Sequence, residues 1–178
     1  YAVMSPGVPC YLPFVKKAEE LNVNVISEVE HAYTLTKCPV CAITGTNGKT
    51  TTTTLAGLLL ERKYKNTAVV GNIGVAYSEK ALSLTKNDYV CAEISSFQLE
   101  TSHTFRPHIA AVLNITPDHL NRHKTMENYV AVKEKIFANQ GKDDFTILNK
   151  NDPYCIRMAD KTDGRVFFFS SREKLDEG

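Results

Sequence analysis

Apolar positions in this chain fall into two patterns. Near-continuous runs of Val, Ile, Leu, Ala and Phe occur at 39–44, 67–70, 89–93, 108–113, 145–148 and 166–169. Such runs predict strands covered on both faces. Between them lie segments with helical spacing. One opens at Lys49-Thr50 and runs to about Arg62, with Leu55, Leu58 and Leu59 as its apolar face. Another covers 125–139, with Met126, Tyr129, Val130, Ile136 and Phe137 on its stripe and Thr125 as a reasonable N-cap. The first 35 residues look like the tail of a separate α/β unit. There, Ser5-Pro6-Gly7-Val8-Pro9 is a turn cluster, a helix follows over about 11–21, 23–26 is a short strand, and 28–34 adds a helical turn or two. Thr36-Lys37-Cys38-Pro39 reads as a linker. The alternation beyond it predicts an α/β fold, a mostly parallel sheet flanked by helices.

The run at 39–44 leads into Gly45-Thr46-Asn47-Gly48-Lys49-Thr50-Thr51. Strand, glycine loop and helix N-terminus together form an anion cradle, where free N–H groups and the positive helix end meet a phosphate. Lys49 can neutralise a terminal phosphate and the Thr50 hydroxyl can ligate its Mg²⁺. Ile43 stands where the general phosphate-loop pattern has its first glycine. The bland alternative is a glycine-rich turn with a solvated lysine.

Parallel strands end on one edge of a sheet, the usual ligand crevice. That edge should gather Lys49, Thr50, Asn72, Glu93, Asn114 and His119. Glu93 closes an apolar strand, where an unpaired carboxylate would cost several kcal/mol, on the order of what burying an ion costs. A Mg²⁺ would compensate it, although a carboxylate that only caps the next turn fits too. His119, alone, is a surface histidine or a ligand. Lys133 falls on the apolar stripe of its helix, four residues beyond Tyr129, while Lys135 lies on the opposite, solvated face. A lysine so placed snorkels, pairs with an acid, or loses its proton, and a neutral amine reacts with CO₂ to give an anionic, metal-binding carbamate.

Composition narrows the class. Of 178 residues, 43% are hydrophobic and 23% charged, with a net charge of +1. These are globular values, and scattered Lys and Arg predict neither a nucleic-acid nor a membrane surface. No apolar run is long enough to span a bilayer and no signal peptide is visible. Five cysteines, an odd number in a long chain with three of them (41, 91 and 155) inside apolar segments, fit reduced, cytoplasmic thiols. Cys38-Pro39-Val40-Cys41 has C-x-x-C spacing but no second pair, and reads as cysteines at the start of a strand. The chain starts at Tyr1 and ends at Glu177-Gly178 just after a strand, which predicts a piece of a longer protein.

Four stretches in order resemble the Mur ligases, and among them the D-glutamate-adding branch: Gly45-Thr-Asn-Gly-Lys-Thr50, Gly71-Asn-Ile-Gly74, Glu93-Ile-Ser-Ser-Phe-Gln-Leu-Glu100 and Asn114-Ile-Thr-Pro-Asp-His119. The resemblance implies a P-loop NTPase-like central domain over 37–178, truncated before its end, after the tail of a Rossmann-like UDP-binding domain over 1–36. It implies a monomeric ATP-dependent ligase that joins D-glutamate to UDP-MurNAc-L-Ala through an acyl phosphate, in cell-wall peptidoglycan synthesis. Residues 45–51 would bind nucleotide, with Lys49 on the γ-phosphate. Thr50 and Glu93 would hold one Mg²⁺, and His119 with carbamylated Lys133 a second. Lys49, His119 and Lys133 are the implied catalytic residues. Ser5, Gly7, Asn72, Ser95 and Gln98 match positions near the sugar substrate. A folylpolyglutamate synthase-like ligase, a regulatory P-loop NTPase and a plain nucleotide-binding module are the alternatives.

Overall fold

The computed structural model describes residues 1–64 and 66–176. Glu177 and Gly178, the predicted end of the second region, lie outside the described residues.

The chain opens with β1 (Ala2–Met4), α1 (Pro13–Glu20) and β2 (Val25–Ser27). The two strands pair in parallel, and Met4, Val15 and Val25 form a small core of their own. Helix α2 (Glu28–Leu35) is capped by the Ser27 hydroxyl, which accepts from Glu30 N at 3.1 Å. Its Val29 and Ala32 join the main core instead.

Then come β3 (Val40–Thr44), α3 (Lys49–Glu61), β4 (Thr67–Gly71), α4 (Tyr77–Ala81), β5 (Tyr89–Glu93), α5 (Ser96–Glu100) and β6 (Ile109–Val112). The chain finishes with α6 (Leu120–His123), α7 (Met126–Glu134), β7 (Phe145–Asn149), α8 (Pro153–Met158) and β8 (Arg165–Phe169). The six later strands form one parallel sheet in the order β4-β5-β3-β6-β7-β8. After β3 the chain crosses to the outermost strand β4 and returns through β5 on one side, and from β6 it runs outward through β7 to β8 on the other. The loop after β3 therefore sits at the reversal, where open α/β sheets bind ligands. Among the described residues no helix is long and apolar enough to cross a membrane.

Three expectations fail. Leu55, Leu58 and Leu59 are exposed, and α3 instead buries Thr53 and Gly57. Gly57 explains this: a Cβ there would lie 2.3 Å from Val69 Cγ2, so the helix backbone itself packs on the sheet. The run at 166–169 is not covered on both faces; β8 is an edge strand whose Phe167 and Phe169 are exposed. Lys135 is not solvated: it is half-buried and donates to the Glu100 carbonyl at 2.6 Å. The short helices α4, α5, α6 and α8 had no counterpart in the hydrophobic pattern, because four to six residues are too few to display a helical period.

Candidate active site

Gly48 is the N-cap of α3 and has φ +81°, a left-handed conformation that a side chain would strain. The chain can thus turn from β3 into the helix in four residues. The β6 end braces the loop: Thr46 N donates to Asn114 O at 2.9 Å, and Asn47 N to Asn114 Oδ1 at 2.8 Å. The Thr46 hydroxyl lies 3.2 Å from the Tyr129 hydroxyl on α7. Thr51 is exposed in the first turn of α3.

Two lysines converge on one carbonyl. Lys49 Nζ donates to Gly45 O at 3.0 Å and to Thr46 O at 2.9 Å. Lys133 Nζ reaches the same Gly45 O at 2.9 Å, and Thr44 Oγ1 at 3.3 Å. Lys133 is 1% exposed. Burial first, and the Lys49 ammonium second, lower its pKa to about 7, with Asp118 partly opposing them. Of the three fates left open by periodicity, a weakened hold on the proton is the one the burial favours: this amine neither snorkels nor pairs with an acid at hydrogen-bond distance among the described residues.

Beside the lysines sits Glu93, 2% exposed at the end of β5. Thr50 Oγ1 donates to its Oε2 at 2.8 Å and Asn72 Nδ2 to its Oε1 at 2.9 Å. Both donors are neutral, and among the described residues no cation pairs with Glu93. A buried carboxylate next to a hydroxyl suits a hard divalent cation that takes oxygen ligands. Asn72 is placed by Gly71, whose φ is +106° and whose added Cβ would lie 2.2 Å from the Glu93 carbonyl oxygen. Asn72 N donates to that same oxygen at 2.8 Å. Among the described residues no cluster of three His, Cys, Asp or Glu forms a metal site, and Cys38 and Cys41 are free thiols, the latter inside β3.

His119 is on the same rim but is not tied to this cluster by a hydrogen bond. It is exposed, its ring 4.9 Å from that of Phe97 and its Nε2 3.4 Å from Asp118 Oδ2. Ser95 and Gln98 close a capping box on α5: the Ser95 hydroxyl accepts from Gln98 N, and Gln98 Oε1 accepts from Ser95 N at 2.9 Å. Ser5 and Gly7 are exposed on a tight turn in which Val8 N donates to Ser5 O at 3.0 Å.

The sequence reading passed over Phe97, Arg122 and Tyr129 as site residues. The Arg122 guanidinium covers the Phe97 ring at 4.1 Å, pairs with Glu100, and donates to Pro6 O at 3.0 Å and Val8 O at 3.1 Å. No local signal could announce partners more than a hundred residues away.

Comparison with known proteins fits this geometry. The Mur ligase middle domain pattern matches residues 43–177. The chain is 49% identical over 176 residues to the UDP-N-acetylmuramoylalanine--D-glutamate ligase of Pelotomaculum thermopropionicum, and 48% identical over 176 residues to that of Lachnoclostridium phytofermentans. Each match covers 99% of this chain and 39% of the relative, so the chain spans about two fifths of the length of these curated proteins. Among solved structures, the UDP-N-acetylmuramate:L-alanyl-gamma-D-glutamyl-meso-diaminopimelate ligase of Neisseria meningitides superposes with a TM-score of 0.66 at 17% identity, covering 99% of this chain and 62% of its own. The MurF ligase of Thermotoga maritima, solved with ADP, gives 0.61 at 18% identity over 90% of this chain and 44% of that one. At those identities the superpositions speak for the fold. The matched middle domain and the identity to curated ligases together establish that this chain belongs to the Mur ligase family.

Proposed function

We propose that this chain is the central part of a cytoplasmic, monomeric ligase that joins D-glutamate to UDP-N-acetylmuramoyl-L-alanine with cleavage of ATP to ADP and phosphate. Residues 1–36 would end its UDP-binding domain and 37–178 would belong to its ATP-binding domain. The observation that carries the reading is the meeting of Lys49 and Lys133 on the Gly45 carbonyl. A cationic lysine beside a second amine that burial and that charge make easy to deprotonate, near a buried carboxylate, suits a cradle that holds a phosphate and metal ions together.

A carboxylate does not accept an amine at neutral pH, because oxide is a poor leaving group. In the first step a carboxylate oxygen of the acceptor attacks the γ-phosphorus, the bond to the β-phosphate oxygen breaks, and ADP leaves. In the second, the D-glutamate amine attacks the acyl carbon, phosphate departs with the bonding pair, and the nitrogen loses a proton to give the amide. The protein's contribution is orientation and charge neutralisation. The N–H groups at the start of α3 and the Lys49 ammonium would hold the transferring phosphoryl group. Thr50 and Glu93 would hold one Mg²⁺, and His119 with a carbamylated Lys133 the other. Those ions, when bound, supply charge neutralisation between anionic reactants. Lys133 suits carbamylation because a pKa lowered to about 7 leaves a large share of its amine neutral at neutral pH: its lone pair bonds to the carbon of CO₂ and the nitrogen gives up a proton. Asn72, exposed beside Glu93, and Ser5, Gly7, Ser95 and Gln98 would line or shape the sugar-nucleotide side.

The test uses the complete protein. ADP release should require both UDP-N-acetylmuramoyl-L-alanine and D-glutamate. Equal turnover with a folate and glutamate, or nucleotide hydrolysis without any acceptor, would replace this reading with one of its alternatives. Mass analysis should find one added CO₂ on Lys133 that disappears in CO₂-free buffer.

A further inference from the structure

Helix α6 is one turn long, yet its two ends face different parts of the molecule. His119, its N-cap, follows the segment at 114–116 whose Asn114 and Thr116 carbonyls bond Thr46 of the phosphate loop. Arg122, one turn later, reaches the turn between β1 and α1. Its side chain is 11% exposed and its guanidinium makes a fork. Nε donates to Glu100 Oε1 at 2.9 Å, Nη1 to Pro6 O at 3.0 Å, and Nη2 to Val8 O at 3.1 Å and to Glu100 Oε2. The plane lies against Phe97, and Phe97 in turn touches the His119 ring. Burial works against the charge, but the Glu100 carboxylate holds the guanidinium above its ordinary pKa, so it is always protonated.

Only an arginine offers several N–H groups in one rigid plane. Both loop acceptors are main-chain carbonyls flanking Gly7, so the grip sets where the backbone of 5–8 sits while leaving the outer face of Gly7 open. Nothing lies within 4 Å of a Cβ built on that glycine. The turn is thus fixed from beneath, relative to the rim, and free above.

We propose that Arg122 is a positioning residue for the acceptor substrate: it locks the turn at Ser5–Val8 in register with the His119 rim, so that an acceptor lying on that turn presents its carboxylate to the phosphate loop. This rests on the proposed ligase reading, in which Ser5 and Gly7 lie on the sugar-nucleotide side. It assigns to Arg122 no contact with the substrate and no part in nucleotide binding.

The test is steady-state kinetics of the complete ligase with Arg122→Ala. Hydrogen bonds to a charged group are among the stronger ones, so losing the grip should raise the acceptor KM roughly ten-fold or more, with the ATP KM changed less than about two-fold. Guanidinium chloride at low millimolar concentration should partly restore the acceptor KM. Arg122→Lys keeps the charge but cannot span both carbonyls, and should show the same split in smaller degree. If Arg122→Ala does not fold, Arg122→Lys is decisive, and a wild-type acceptor KM in it overturns the proposal. A folded Arg122→Ala enzyme with an unchanged acceptor KM overturns it too, as does an equal rise in both KM values, which marks general loosening. Wild-type protein whose ADP release ignores the acceptor would overturn the ligase reading along with it.

Discussion

Helices α3 and α7 approach the same phosphate loop, and they break amphipathic patterning in opposite directions. Helix α3 exposes Leu55, Leu58 and Leu59 and lays Gly57 against the sheet. Helix α7 buries a lysine between Tyr129 and Ile136. In α3 the constraint is at the N-terminus: the loop must deliver Lys49 and Thr50 at the β3 end, and close backbone contact at Gly57 sets how the helix lies. In α7 the constraint is the Lys133 amine, which must reach Gly45 O. In both, the placement of one polar group near the loop overrides the hydrophobic stripe. Local violations of pattern are expected where function is assembled.

That contrast can be broken in several ways. The largest effect belongs to the polar end of α3. In the complete protein, Lys49→Ala should lower ADP release by roughly 100-fold or more, the scale of losing a charge-stabilising donor; unchanged turnover would strip the loop of its proposed role. Next comes the buried amine. With a folded pKa of about 7 against an ordinary 10.5, the folded chain loses the Lys133 proton first, so the unfolded chain binds more protons between those values. Stability should therefore rise with pH across that window, by at most about 1.4 kcal/mol per pH unit. Lys133→Met should exceed the wild type at pH 6 and lose that lead toward pH 10, as followed by urea denaturation. Parallel curves would mean that α7 tolerates the lysine for another reason. Gly57→Val should then cost about 1–3 kcal/mol through overpacking against Val69, visible as a lowered Tm. The smallest effect is Leu58→Ser, which should change the stability of this chain by no more than about 0.5 kcal/mol, as for an exposed site. A large loss there would show that the α3 leucines are covered after all.

The strands and the two long helices of the second region were legible because runs of Val, Ile and Ala leave few alternatives. The rim followed from them: once the strands are parallel, Lys49, Thr50, Asn72 and Glu93 must share an edge, and the Thr50–Glu93–Asn72 bonds are the result. Lys133 stood out as a charge on an apolar stripe. What stayed hidden was everything settled by tertiary contact. The β8 run looks like its neighbours, and only its place at the sheet edge exposes Phe167 and Phe169. Lys135 finds a carbonyl on α5, which spacing along its own helix cannot reveal. Arg122 looks like any surface arginine until the first turn of the chain is folded against it.

The meeting of Gly71 with the Glu93 carbonyl has a reach beyond its own size. Strand β4 is the outermost on its side of the sheet, with a neighbour on one flank only. Here that margin is welded to the carboxylate's strand at 2.8 Å through Asn72 N. Damage at the periphery would thus be transmitted inward, and a methyl group added at Gly71 on the outermost strand would disturb the Glu93 carboxylate on the neighbouring strand and the Thr50 hydroxyl bonded to it.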